Sequence, residues 1–242
     1  MSTRLKNRPT LRFERSLLRE GRELLACVDE VGRGALCGPV TIGVVVISEQ
    51  TRTAPQGVRD SKLLTQAARE ALVPRVKRWA PHHGVGHASP AEIDEFGMTA
   101  ALRLAGHRAL TQLSVVPDLV LLDGNHDYLS HPEDSMLFGG PSGLMDTVPP
   151  VVTAIKADMR CAAVAAASIL AKTSRDAIMM ELAGDYPDYG WHQNKGYSAP
   201  EHIDALRRLG PCDVHRRSWS LPGVVIDTVL DSPQSPIIEE LS

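Results

Sequence analysis

No apolar stretch in this chain approaches the roughly 20 residues that a membrane-crossing helix needs. The basic N-terminal residues 1–23 also lack the apolar segment of a secretory signal. A cytoplasmic protein is the expectation. The four cysteines, Cys27, Cys37, Cys161 and Cys212, show no Cys-x-x-Cys spacing. That argues against a zinc site and more strongly against a disulfide framework. Cys27 and Cys161 lie in apolar surroundings and read as small core residues. Basic excess is missing too: the formal net charge is −3, which does not announce a nucleic-acid binder. The charge distribution weakens that argument, because residues 221–242 hold four acids and no Lys or Arg. No internal repeat is visible, and nothing in the pattern calls for an oligomer, so a monomer is expected. What remains is an ordinary globular composition, 242 residues with 43% hydrophobic and 23% charged, long enough for one sizeable core.

Leu24-Leu25-Ala26-Cys27-Val28 is a short continuous apolar run and predicts a buried strand. A Gly-rich turn and a second strand over 41–47 follow, giving a hairpin. A helix is expected over 65–78, a strand over 83–88, and a helix from Ser89-Pro90 to about Leu113 with a break near Gly97. Strands are expected over 118–122 and 151–155, an Ala-rich helix over 161–182 and a last helix from Pro200. The segment 126–150, rich in Gly, Pro, Ser and His, reads as an exposed loop. Together these predict an α/β domain with a mixed central sheet flanked by helices and a C-terminal helical extension. The expected organisation is a basic segment over 1–22, the main domain over 23–222, and an acidic tail over 223–242 that is disordered or loosely docked.

Three of these strands end in acid, at Asp29-Glu30, Asp123 and Asp158. Adjacent carboxylates at the mouth of a buried strand are expensive to desolvate unless a positive charge neutralises them. Hard divalent cations take such oxygen ligands. Ligands of open α/β sheets collect where strand ends converge, and four carboxylates at one edge could hold two Mg²⁺ or Mn²⁺ ions for phosphodiester hydrolysis. Gly32-Arg33-Gly34, directly after the first pair, would let backbone groups approach a ligand closely. The bland alternative for this string is a pair of solvated acids before a turn. One difficulty is geometric: successive strand residues point to opposite faces, so Asp29 and Glu30 cannot both face one ion from a regular strand.

The strings Asp29-Glu-Val-Gly-Arg-Gly34, Asp60-Ser-Lys62, Leu122-Asp-Gly124, Lys156-Ala-Asp158 and Ala165-Ala-Ala-Ser-Ile-Leu-Ala-Lys172 resemble ribonuclease HII in order and spacing, as do Lys195-Gly-Tyr197 with His202 and the later His215-Arg216. The resemblance implies a ribonuclease H-like fold and cleavage of the RNA strand of RNA–DNA hybrids. It also implies incision 5′ to a single ribonucleotide in duplex DNA, leaving 3′-hydroxyl and 5′-phosphate ends. By the same resemblance Asp29, Glu30, Asp123 and Asp158 are the metal-binding catalytic acids. Gly32, Arg33 and Gly34 sense the 2′-hydroxyl, and Tyr197 packs at the DNA–RNA junction. Ala35 and Cys37 stand where the family usually has proline and alanine, and Ala157 replaces a common glycine.

Lys62 and Lys172 are read as phosphate contacts, with Asp176 pairing Lys172 one helical turn away. His215-Arg216-Arg217 reads equally as a phosphate grip or as a cap on the domain end. The arginines before residue 16 are expected in a solvated, frayed terminus, and His82, His83, His87, His126 and His131 at the surface. Other classes remain open: a junction resolvase-like nuclease on the same fold, or a non-catalytic nucleic-acid-binding module.

Overall fold

The computed structural model describes residues 8–132 and 141–224. The acidic tail beyond 224 therefore lies outside the described residues, as do 1–7 and the middle of the predicted loop. The elements are α1 (Arg12–Leu18), β1 (Leu25–Val31), β2 (Val40–Ile47), α2 (Gln66–Trp79), β3 (His83–Ala88), α3 (Pro90–Leu110), β4 (Leu119–Asp123), β5 (Val151–Ala154), α4 (Ala157–Arg160), α5 (Ala162–Asp185), α6 (Trp191–Asn194) and α7 (Pro200–Leu209). The five strands form one mixed sheet in the order β3-β2-β1-β4-β5. β1 pairs antiparallel with β2 but parallel with β4, which in turn runs parallel to β5. None of the described helices is long and apolar enough to cross a membrane.

Local chemistry accounts for these elements. β2 is β-branched along most of its length and buried at every residue, as a central strand covered on both faces must be. α3 starts on a capping box in which Ser89 and Glu92 each accept the other's backbone N–H through a side-chain oxygen, and it kinks at Gly97, where φ is 79°. Alternate β1 residues feed two cores. Leu25 and Cys27 pack under the Ala-rich α5, with α1 and α2 alongside; Ala26 and Val28 pack against α3. The alanines of α5 let it lie close on the sheet, and a Cβ at Gly43 would collide with the Ala167 carbonyl. A third cluster joins Cys37 and Met179 to Tyr189, Trp191 and Leu206, forming the C-terminal helical extension.

The N-terminal segment is not frayed where it is described. Leu11 and Leu18 are buried in the α5-side core, Thr10 donates its N–H to the Arg160 carbonyl, and its own carbonyl accepts from Ala162 N. Fully buried Glu14 accepts from Ala163 N at 2.9 Å. The segment thus satisfies donors that the first turn of α5 leaves open, which its basic composition did not signal.

Burial pushes the Glu14 carboxyl up to about 7, against the lowering effect of its backbone hydrogen bonds. Because the folded state binds this proton more tightly than the unfolded chain, Glu14 supports the fold fully below about pH 4.5 and loses that contribution as pH rises through 7. Glu14→Gln can keep the Ala163 bond and remove the titration. We expect it to match the parent near pH 5 and exceed it at pH 8 by on the order of 2 kcal/mol in urea unfolding. A constant difference across that range would exclude Glu14 as the titrating group.

Candidate active site

β1 and β4 are in parallel register with Val28 opposite Leu122. The next step of that register sets Asp29 beside Asp123, and by alternation both point to the α5 face. β5 ends level with Asp123, whose partner is Ala154. After it Lys156 takes a left-handed conformation (φ 56°, ψ 40°) and turns the chain into α4. Ala157 N then donates to Asp123 Oδ1 at 2.6 Å, with Asp158 N at 3.4 Å from the same oxygen. The first turn of α4 thereby carries Asp158 to the Asp29–Asp123 pair.

The electrostatics report the same convergence. Asp29 is only 5% exposed. Its carboxyl is held well above the usual carboxylate range by burial and then by the charges of Asp123, Glu30 and Asp158. Burial, Asp123 and Asp60 raise Asp158 as well. Lys62, carried by the short turn Ser61–Leu63 that Asp60 caps, puts its ammonium 3.8 Å from Asp158 Oδ2. Burial works against that charge, but Asp29, Asp60, Asp158 and Asp123 together raise its proton affinity. Ser168 on α5 accepts from Ser61 N at 3.1 Å and so docks this turn.

The strand stays regular through this pair, so Glu30 lies on the α3 face, opposite Asp29. Buried Tyr128 donates its hydroxyl to Glu30 Oε2 at 3.2 Å, and the Arg33 guanidinium lies 3.5 Å from Oε1. Burial still raises Glu30, partly offset by Arg33 and Tyr128. Tyr128 is a residue that sequence reasoning missed. With fully buried Leu129 it contradicts the expectation of an exposed loop from 126 onward. The available signal was Tyr128-Leu129, the only apolar pair in an otherwise polar run from 124 to 133.

Gly32, Arg33 and Gly34 follow β1 directly. Gly32 has φ 87°, and a Cβ there would collide with Arg175 Nε and lie 2.8 Å from the Pro39 carbonyl. Gly34 is exposed, and among the described residues its Cβ would meet nothing within 4 Å. The Tyr197 ring centroid lies 5.2 Å from this same Arg175 guanidinium and 5.4 Å from Lys172 Nζ. Lys172 pairs with Asp176 at 2.7 Å, as its spacing predicted, and Asp176 also takes Arg69 at 3.2 Å. The Lys172 charge is thus already paired beside the tyrosine ring.

Arg216 is wholly buried, so it grips no phosphate in this structure. It donates to the carbonyls of Gly32 at 2.6 Å, Arg33 at 2.8 Å and Gly38 at 3.2 Å. Of the two readings open for 215–217, this internal tie is nearer the cap.

Two donor sets invite a test for metal. Cys37, His202 and His215 are the one set of three among the described residues whose ligand atoms all lie within 4.8 Å of one another. The ring lone pairs of the two histidines are spoken for. His202 Nδ1 pairs with the Tyr197 carbonyl and must donate, leaving Nε2 to accept from Trp191 Nε1. His215 Nδ1 accepts from Cys212 N, leaving its Nε2–H to face His202 Nε2 at 3.1 Å. Neutral tautomers fixed in this way support the Tyr197 backbone and offer no ligand. The four carboxylates are spaced more widely, but their donors are oxygen alone and their mutual repulsion asks for positive charge, which suits hard divalent ions. They fit such ions; the histidine cluster does not.

The family model of Ribonuclease HII matches residues 26–221. The ribonuclease HII of Streptomyces avermitilis is 46% identical over 213 residues, covering 88% of this chain and 84% of that one. Among solved structures, ribonuclease H2 from Pyrococcus horikoshii matches with a TM-score of 0.61 and 29% identity, over 82% of this chain and 95% of that one. Bst-RNase HIII in complex with Mn²⁺ matches with a TM-score of 0.59 at 21% identity, over 80% of this chain and 63% of that one, and so shares the fold.

Proposed function

The chain belongs to the ribonuclease HII family and is a ribonuclease H, and we propose that it incises duplex DNA on the 5′ side of an embedded ribonucleotide as well as cutting the RNA strand of RNA–DNA hybrids. The observation that carries this reading is the register that sets Asp29 beside Asp123, with Asp158 brought in through the Ala157–Asp123 bond.

In this reading Asp29, Glu30, Asp123 and Asp158 hold two divalent cations, Mn²⁺ or Mg²⁺. When bound, such ions lower the pKa of an attacking water and stabilise the leaving oxygen. Asp29, Asp123 and Asp158 supply oxygens from one face of the sheet. Glu30 reaches in from the other face, oriented by Tyr128 and Arg33. Lys62 offsets surplus negative charge beside Asp158. The bond between the water oxygen and phosphorus forms as the phosphorus–O3′ bond breaks, giving 3′-hydroxyl and 5′-phosphate ends.

Selectivity comes from the turn beside the acids. The 2′-hydroxyl is both donor and acceptor and is what separates a ribonucleotide from its neighbours. Backbone groups of Gly32, Arg33 and Gly34 can meet it, since none of the described residues packs into the space at Gly34. Tyr197 then packs on the adjoining sugar, with Lys172 beside it and Lys62 close to phosphate.

A duplex holding one ribonucleotide is expected to be cut on its 5′ side in Mn²⁺ or Mg²⁺, and an all-DNA duplex to survive. Equal cutting of both, or cutting indifferent to a chelator, would refute the reading. Preference for branched DNA with no dependence on the 2′-hydroxyl would favour a resolvase-like enzyme instead.

A further inference from the structure

The turn after β1 and the loop carrying Tyr197 are more than 150 residues apart in sequence, yet one buried side chain binds both. Arg175, on α5, has no exposed surface. Its Nε donates to the Pro39 carbonyl at 2.8 Å, its Nη2 to the Cys37 carbonyl at 3.0 Å and its Nη1 to the Lys195 carbonyl at 2.9 Å. The guanidinium also lies 5.2 Å from the Tyr197 ring centroid and fills the space a Cβ on Gly32 would need. No carboxylate forms a salt bridge with it among the described residues.

Burying an unpaired guanidinium is a costly way to fill a core, and apolar residues of similar volume usually serve stability as well or better. What the planar fork adds is geometry: its donors lie in fixed directions that a lysine ammonium does not reproduce. Two of them hold the Gly32-to-Pro39 turn, and the third holds the carbonyl two residues before Tyr197. Leu36 N also donates to the Gly196 carbonyl at 2.8 Å, so the distance between the turn and the ring is set by that backbone bond together with this one rigid side chain.

We propose that Arg175 is a positioning residue that sets the spacing between the Gly32–Gly34 turn and Tyr197, and through it the preference for a ribonucleotide–DNA junction over a continuous hybrid. This rests on the junction-reading role given above to that turn and Tyr197. A continuous hybrid presents a 2′-hydroxyl at every register and needs no such spacing.

The test compares kcat/KM on a one-ribonucleotide duplex and on a uniform RNA–DNA hybrid, at a temperature where circular dichroism shows every variant folded. R175K is expected to lower the junction-to-hybrid ratio by about 10-fold or more, with the hybrid value changing less than about 3-fold. In a Y197A background R175K should shift the ratio by less than about 2-fold, because the two then act through one element. Equal losses on both substrates, an unchanged ratio, or an R175K effect that is undiminished in Y197A would each overturn the proposal. Should R175K not fold, K195G serves. Lys195 already has φ 51°, which glycine adopts freely, so the change keeps the carbonyl that Arg175 binds and slackens the link to Tyr197. A smaller fall in the ratio supports the coupling, and none overturns it. A parent enzyme that ignores the ribonucleotide would sink the reading of the site itself. A discriminating parent beside an equally discriminating R175K sinks the coupling alone.

Discussion

Asp123→Asn is expected to lower kcat on the one-ribonucleotide duplex by about 10³-fold or more while changing duplex affinity by no more than about 3-fold. The substitution is informative because of what it leaves intact. Asp123 Oδ1 accepts from Ala157 N at 2.6 Å and faces Asp158 N at 3.4 Å. An asparagine carbonyl oxygen can take over both, so α4 and Asp158 should stay where they are. What disappears is one negative charge from the group that would hold the cations. Asp123→Ala differs: it strips the acceptor from Ala157 N as well, and should lose stability in addition to turnover. Steady-state cleavage and fluorescence anisotropy with the same duplex separate the two quantities. A D123N enzyme with near-normal kcat and weakened binding would remove Asp123 from the chemistry.

The approach of Asp29 to Asp123 was legible because both follow short apolar runs that form neighbouring strands, whereas Asp158, expected at a strand end, sits in the first turn of α4. Asp123 closes β4 and Asp29 lies two residues before the end of β1, and the parallel register does the rest. The hairpin, the Ser89 cap, the Gly97 break and the Ala-rich helix, expected over 161–182 and found over Ala162–Asp185, were legible for similar reasons: capping, φ preference and apolar spacing are local properties. The supports beneath the site were not. Arg175 and Arg216 donate to backbone carbonyls, and a carbonyl belongs to every residue type, so the pairing leaves no trace in the sequence. An arginine flanked by polar residues reads as solvated until the fold closes over it. Glu14 misled in the same way, as a charged residue in a basic stretch that proves fully buried. Tyr128 sits in a run whose turn-forming composition outweighed its one apolar pair.

The second large effect is expected at Arg216. It holds the carbonyls of Gly32, Arg33 and Gly38 from a site with no solvent contact, and its guanidinium lies 5.0 Å from the Trp219 ring centroid. Burial, then the like charge of Arg175, lowers its pKa to about 10, which still leaves it protonated at neutral pH. Arg216→Met keeps much of the volume and removes every donor. The buried carbonyls of Gly32 and Gly38 and the part-buried one of Arg33 then lose a partner, each worth on the order of 1 kcal/mol or more, so we expect about 3–5 kcal/mol of destabilisation. For a domain of this size that is a fall in Tm of roughly 10 °C. The turn freed by the change is the one that carries Gly32 and Arg33, so activity at a permissive temperature should fall on junction and hybrid substrates alike. That pattern sets Arg216 apart from Arg175, whose variant is expected to shift the ratio between them. Arg216→Lys should recover only part of the stability, since one ammonium cannot reach all three carbonyls in the fork's directions. A Met variant melting within about 2 °C of the parent would mean that these carbonyls find other donors and that the turn does not depend on Arg216.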